Sequence, residues 1–240
     1  MICMSNTYFS FKQFTVFHHL CAMKVGIDGV LLGSWASVEN PESVLDIGTG
    51  MGLIALMIAQ RCNAEIDAID NDENAVIQAK ENVSNSPWPG RIHVSGISLQ
   101  DLAKNPFQLY DLIVSNPPFF INSTKTPDDN RTMARHTDSL SHEELIENAI
   151  LLLKPTGRIC IILPVNEGLQ CIEFALDKGL FCTKQCIVYP KPNATAKRLL
   201  LEFSLQSNPK IESEMAIEGE QRHQYSPEFT ALAKDFYLKL

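Results

Sequence analysis

The sequence predicts an α/β protein built on a mostly parallel sheet that is covered by helices on both faces. Three observations lead to this fold class. From residue 44 onward, short β-rich runs alternate with helical stretches, the pattern of parallel strands joined by helical crossovers. A glycine-rich segment stands between the first strand and the first helix. The last two β-rich runs follow each other without a helix, so we expect the last strand to be antiparallel.

Seven strands are expected, each a short aliphatic or β-branched run bounded by polar or turn residues. They cover residues 44–47, 65–70, 91–95, 111–115, 158–163, 180–189 and 198–205. Helices are expected over residues 53–60, 72–85, 141–153 and 167–177. Asp72 is the predicted N-cap of the second helix, and Ser141 with Glu144 has the spacing of a capping box. The polar, acidic residues 207–224 are expected to form a loose surface loop.

A chain of 240 residues with 45% hydrophobic side chains can build one large core. We expect one domain, with an N-terminal arm or lid (1–43), a catalytic core (44–206) and a C-terminal loop and helix (207–240). The apolar runs are too short to cross a bilayer, and the first thirty residues show no signal peptide. These features predict a cytoplasmic protein with no membrane association and no obligate protein partner.

The seven cysteines lie singly in mostly apolar stretches, without a C-x-x-C pair. This distribution favours buried, reduced thiols over a disulfide framework or a zinc site. We therefore expect no metal.

Glycines at positions 48, 50 and 52 stand where the first strand becomes the first helix. Gly48, Gly50 and Gly52 allow a tight turn and a close approach of the backbone to a ligand. Asp70 ends the second strand, 22 residues after Gly48, where its carboxylate can accept hydrogen bonds from both hydroxyls of a ribose. The strand–loop–helix–strand–acid order therefore predicts a nucleoside site.

The spacing of this loop and the acid before it indicate which nucleoside is bound. Dinucleotide sites have the spacing G-x-G-x-x-G, whereas this loop reads G-x-G-x-G. Asp46 precedes the loop by two residues, and its carboxylate would repel a pyrophosphate but suits a sulfonium or an amino group. We therefore expect S-adenosylmethionine as the cofactor.

The tetrapeptide Asn116-Pro117-Pro118-Phe119 ends the fourth strand, at the edge of the sheet that carries the glycine loop. The side-chain carbonyl of Asn116 and the backbone carbonyl of Pro117 can accept the two hydrogens of an exocyclic amino group. This directs the nitrogen lone pair toward a methyl donor. Proline keeps that carbonyl rigid, and Phe119 offers a face on which a base can stack. These four residues are the predicted catalytic residues.

With these motifs the chain resembles the amino-group methyltransferases of adenine, guanine and glutamine. The resemblance implies a Rossmann-like class I methyltransferase with a seven-stranded, mostly parallel sheet, an antiparallel last strand and helices on both faces. The arm segments 9–14 and 22–35 make the resemblance more specific: they resemble those of the bacterial tRNA(Val) adenine-37 amino-group methyltransferase family. The similarity to this family runs along nearly the whole chain. This implies N6 methylation of adenine 37 in tRNA(Val). Guanine-N2 methylation of rRNA, glutamine-N5 methylation of a protein and a non-catalytic cofactor- or RNA-binding module remain alternatives.

The resemblance also implies roles for individual residues. Gln13 and the residues from Lys24 to Asp28 would form a lid over the methionine part of the cofactor. Ile97 replaces the aspartate that usually holds the cofactor's adenine amino group, so Ser98 becomes the candidate for that contact. The predicted cofactor residues are Gln13, Lys24, Gly26, Asp28, Asp46, Gly48, Gly50, Gly52, Asp70, Asn71, Ser98 and Asn116.

The net charge of −8 means that any contact with a phosphate backbone has to be local. Residues 41–120 carry ten acidic and four basic side chains, whereas residues 154–206 carry seven basic and four acidic ones. The basic side chains near the predicted crevice would face a tRNA substrate. The predicted substrate residues are Phe119, Lys125, Arg131, Arg135, Lys191, Lys197 and Arg198.

Overall fold

The computed structural model describes residues 6–21, 23–117, 140–219 and 224–240. Within these residues, the strands are β1 (Tyr8–Ser10), β2 (Thr15–Phe17), β3 (Ser43–Ile47), β4 (Glu65–Asp70), β5 (Ile92–Gly96), β6 (Tyr110–Ser115), β7 (Leu153–Pro164), β8 (Phe181–Tyr189), β9 (Arg198–Ser204) and β10 (Ile211–Ala216). The helices are α1 (Ile27–Trp35), α2 (Leu53–Arg61), α3 (Glu73–Ser84), α4 (Leu99–Lys104), α5 (His142–Leu152), α6 (Val165–Asp177) and α7 (Pro227–Ala233).

The main sheet has the strand order β10-β8-β9-β7-β6-β3-β4-β5, and β9 is antiparallel to both of its neighbours. The other strands are parallel. One apolar core joins α1, α2, α3 and α7 to one face of the sheet, and a second joins α4, α5 and α6 to the other. The predicted α/β fold, with a mostly parallel sheet covered on both faces, is confirmed.

One detail of the predicted sheet is wrong. The described sheet has eight strands instead of seven, because Ile211–Ala216 pairs in parallel with β8, inside the segment that we expected to be a loop. This strand is largely exposed and polar, so its sequence carries little strand signal. It forms because it pairs the outer edge of β8, which would otherwise be open. The last predicted strand, β9, lies between β7 and β8 and is antiparallel to both, so the predicted antiparallel last strand is confirmed.

Helix ends follow the predicted caps. The Asp72 side chain accepts the backbone N–H groups of Asn74 and Ala75 at the start of α3. Ser141 and Glu144 form the predicted capping box at the start of α5. Since helices of this topology run back along the strands, the N-termini of α2 and α3 lie at the carboxyl edge of the sheet. That edge carries the candidate site.

The N-terminal arm is largely part of the core. It forms the hairpin β1–β2 and then α1, whose residues Gly29–Trp35 are all buried. A Cβ on Gly29 would lie 2.9 Å from Leu53 Cδ2, and one on Gly33 would lie 2.7 Å from Met57 Sδ. These glycines therefore let α1 pack directly on α2.

Among the described residues, no helix is long and apolar enough to cross a membrane. The cysteines of this part of the chain are all free thiols. No cluster of three or more potential metal ligands occurs in the same ranges.

Candidate active site

The glycine loop has a backbone conformation that favours glycine at three alternate positions. Gly48, Gly50 and Gly52 have φ angles of 67°, 56° and 85°. A Cβ on Gly48 or Gly50 would meet no atom within 4 Å, so the backbone of the loop borders open space. The loop can therefore contact a ligand directly through its main chain.

Asp70 is fixed beside this loop by two backbone groups. Its Oδ2 accepts the N–H of Gly50 at 2.8 Å, and its Oδ1 accepts the N–H of Asp72 at 3.0 Å. Each carboxylate oxygen keeps further acceptor capacity, so the group is oriented and can still bind hydroxyl donors. Asn71 is exposed next to it.

Asp46 lies beneath the loop and is fully buried. Its Oδ2 accepts the hydroxyl of Thr49 at 2.7 Å and the N–H of Ala55 at 3.0 Å, whereas its Oδ1 has no partner among the described residues. Burial raises the pKa of Asp46 to about 7, although both hydrogen bonds oppose the shift. From the sequence we expected this carboxylate to face a cationic ligand. In the structure it lies in the protein interior, where it stabilises the loop and the first turn of α2.

This buried carboxylate gives a pH-dependent prediction. Because its pKa rises from 3.8 to about 7 on folding, its stabilising contribution is complete below pH 3.8 and is lost as pH rises through 7. Asp46→Asn keeps an acceptor for both donors without the charge. Between pH 5 and pH 8 the free energy of unfolding of this variant, relative to wild type, should rise by about 2–3 kcal/mol. Urea denaturation at several pH values measures this, and a difference that does not vary with pH would contradict it.

Asn116 lies beside the glycine loop because β6 pairs with β3. Ser115 is opposite Ile47, and the Ser115 hydroxyl donates to the Ile47 carbonyl at 2.9 Å. Asn116 follows Ser115 and Gly48 follows Ile47, so Asn116 and Gly48 are neighbours at the ends of the two adjacent strands. The Asn116 Oδ1 atom is buried and has no hydrogen-bond partner among the described residues. A buried acceptor of this kind is ready for an amino donor. Pro117 is buried, whereas Pro118 and Phe119 lie outside the described residues.

The predicted lid residues lie at separate points along the N-terminal arm. Gln13 is exposed at the β1–β2 turn and shares a surface depression with Glu81 and Asn85. None of the described residues of the glycine loop lines this depression. The arm comes near Asp70 and Asp72, at the carboxyl edge of the sheet, at Cys21. Burial raises the pKa of the Cys21 thiol to about 11, and the nearby charges of Asp70 and Asp72 add to the shift.

Two residues that were predicted for different ligands bind each other. Asp28 was expected at the cofactor and Arg198 at the substrate. The structure joins them in an ion pair, with Arg198 Nε donating to Asp28 Oδ2 at 3.0 Å. Their opposite charges offset one another at the start of β9. Of the other predicted arm residues, Lys24 is exposed and Gly26 is the N-cap of α1.

Ser98 caps α4. Its hydroxyl donates to Asp101 Oδ2 at 2.9 Å and accepts the N–H of Asp101 at 3.1 Å. The neighbouring Ile97 packs against the core on that face of the sheet. The Ser98 hydroxyl therefore has a structural use that the sequence did not show.

The turn between β8 and β9 carries exposed Lys191 and Lys197. It lies at the carboxyl edge, since Arg198 pairs with Pro164 at the end of β7. The other predicted substrate residues lie outside the described residues: Phe119, Lys125, Arg131 and Arg135.

Comparisons with known proteins agree with this geometry. The family model for the methyltransferase small domain matches residues 29–181. A tRNA1(Val) (adenine(37)-N6)-methyltransferase of Parabacteroides distasonis is 50% identical, covering 99% of this chain and 100% of that protein. One of the same name from Phocaeicola vulgatus is 48% identical, with coverage of 99% and 100%.

The fold is also found in solved structures. A predicted O-methyltransferase from Agrobacterium tumefaciens matches with a TM-score of 0.69 at 16% identity, covering 87% of this chain and 96% of that one. Sequence, fold and the arrangement of the site thus agree, and this chain belongs to the methyltransferase small domain family, in the branch of the tRNA1(Val) (adenine(37)-N6)-methyltransferases.

Proposed function

We propose that this methyltransferase transfers a methyl group from S-adenosylmethionine to N6 of adenine 37 in tRNA1(Val). The observation that carries the proposal is the buried Oδ1 of Asn116 beside the glycine loop, which has no hydrogen-bond partner in the described part of the chain. The names of relatives at 48–50% identity support the choice of tRNA and base. Such a substrate would place the enzyme in the cytoplasm.

The residues at the carboxyl edge fit the proposed cofactor. When bound, S-adenosylmethionine supplies an electrophilic methyl group on a sulfonium. The space above Gly48 and Gly50 would admit it, and the oriented carboxylate of Asp70 would accept hydrogen bonds from its ribose hydroxyls. When Asp46 is ionised, its buried carboxylate places a negative charge beneath the loop and favours a cation at this edge.

Asn116 and Pro117 would act on the target amino group. Its lone pair is delocalised into the purine ring, which makes the nitrogen a poor nucleophile. Acceptance of its hydrogens by Asn116 Oδ1 and the Pro117 carbonyl localises that pair and orients it for in-line attack. The product proton leaves to water. Phe119 is proposed to stack on the adenine after the base has left the anticodon loop.

The substrate is tested by methyl transfer to three acceptors: unmodified tRNA1(Val), its anticodon stem-loop and a peptide-chain release factor. We expect transfer to N6 of adenine in tRNA. Incorporation into the release factor, with none into RNA, would contradict the proposal and favour the glutamine alternative. Methyl-guanosine as the product would favour guanine methylation instead.

Lys191 and Lys197 provide a second test of the RNA substrate. If they contact phosphates, Lys191→Glu with Lys197→Glu should raise the KM for tRNA at least tenfold at low salt. The matched control, Lys234→Glu with Lys239→Glu, changes the charge equally on the C-terminal segment and should change the KM less than threefold. Equal effects of the two pairs would show that only total charge matters.

A further inference from the structure

Two amide side chains of α3, Gln78 and Asn82, are fully buried and bind the N-terminal arm. Asn82 Oδ1 accepts the N–H of Phe17 at 2.8 Å. Its Nδ2 donates to the carbonyls of Phe17 and Met51, each at 2.8 Å. Because Met51 is a residue of the glycine loop, Asn82 joins the arm to that loop through one side chain.

Gln78 lies one helical turn closer to the N-terminus of α3. Its Oε1 accepts the N–H of Leu20 at 3.1 Å, and its Nε2 donates to Glu81 at 2.8 Å. Residues four apart share one face of a helix, so the two amides guide the arm along α3 toward the carboxyl edge of the sheet. The residue after Leu20 is Cys21, whose thiol lies near Asp70.

The arm is held again at Asp28, on the other side of the site. Asp28 binds Arg198 at the start of β9, which is four strands from β4 in the sheet and therefore roughly 19 Å away. Leu20 and Asp28 are eight residues apart, and an extended chain of that length spans roughly 26 Å. In the sheet, β3 and β6, which precede the glycine loop and Asn116, lie between β4 and β9.

We propose that Gln78 and Asn82 are positioning residues for cofactor binding, which hold the arm along α3 beside the cofactor crevice and brace the glycine loop. This rests on the proposed function of the same site. Neither side chain reaches the open space above the loop, since both are completely buried. A buried amide is unfavourable unless its hydrogen bonds are made, and most of the bonds here go to the arm and the loop. These two positions therefore fix the path of the arm rather than fill the core.

Asn82→Ala and Gln78→Met test the proposal. Calorimetry should show S-adenosylmethionine affinity lower by about tenfold for Asn82→Ala and about threefold for Gln78→Met. The kcat at saturating cofactor should stay within threefold of wild type. Without cofactor, hydrogen exchange should be faster at the Phe17 amide in Asn82→Ala and at the Leu20 amide in Gln78→Met. Each variant lacks the side-chain oxygen that accepts from that amide.

Tyr110→Phe is the matched control, because Tyr110 is buried and its hydroxyl donates to Asp67 at 2.9 Å near the opposite edge. It should change neither cofactor affinity nor exchange in the arm.

Faster arm exchange with wild-type affinity in both Asn82→Ala and Gln78→Met would overturn the proposal, since the amides would then only hold the arm. If Asn82→Ala does not fold, Gln78→Met decides alone. A wild-type protein that binds S-adenosylmethionine but methylates no tRNA would contradict the proposed substrate and leave this comparison valid.

Discussion

Replacing Asn116 with alanine should lower kcat for methyl transfer about a hundredfold. The variant loses the buried oxygen that accepts from the amino group as its nitrogen becomes tetrahedral, and the loss of one such group in other enzymes costs about 10²–10³ in kcat. Affinity for S-adenosylmethionine should change far less, because the cofactor is proposed to bind mainly through the glycine loop and Asp70. Single-turnover kinetics with saturating tRNA measures the chemical step directly.

Asn85→Ala is a suitable control for Asn116→Ala. The Asn85 side chain is exposed and donates to the Glu81 carbonyl at the end of α3, away from the glycine loop. This variant should retain wild-type kcat. If Asn116→Ala keeps its kcat and only the KM for tRNA rises, Asn116 merely binds the substrate and does not assist the reaction.

Asp70→Ala should weaken S-adenosylmethionine binding by at least tenfold while the fold remains intact. Hydrogen bonds to a charged group contribute about 1.5–3 kcal/mol each, so the loss of even one ribose contact accounts for this factor. The variant also frees the Gly50 N–H that orients the loop. Calorimetry gives the affinity, and circular dichroism checks the fold.

Asp72→Ala removes the neighbouring carboxylate and so makes the same change in charge. Asp72 caps α3, so this control should lower stability by about 1 kcal/mol but change cofactor affinity less than threefold. Equal losses of affinity in the two variants would show that the charge at this edge matters, rather than a specific contact of Asp70. Unchanged affinity in Asp70→Ala would exclude this residue from the site.

The parts of the site that could be predicted from the sequence are those fixed by local patterns. Gly48 follows β3 and Asp70 ends β4, and the carboxyl ends of parallel strands meet at one edge of the sheet. Asn116 follows an adjacent strand, and the structure places it next to Gly48. Short motifs at strand ends therefore predict the centre of the site well.

The remaining parts depend on contacts between distant segments. Arg198 binds Asp28 across 170 residues, and nothing in either local sequence shows that pairing. β10 is defined by its hydrogen bonds to β8 and not by its largely exposed side chains. The depth of Asp46 is likewise set by tertiary packing.

Gln78 and Asn82 are an intermediate case. Their four-residue spacing among the buried positions of α3 could have marked them as buried polar side chains. Their partners, however, are backbone groups of the arm and the loop, which no side-chain pattern records.

Methylation of N6 of adenine 37 in tRNA1(Val) is tested most directly by mass spectrometry of this tRNA from a strain that lacks the gene. We expect N6-methyladenosine to be absent at position 37 in this strain, and we expect the wild-type gene, but not the Asn116→Ala variant, to restore it. An adenine 37 that is still methylated in the deletion strain, or a methyl group lost only from another RNA or a protein, would contradict this proposal.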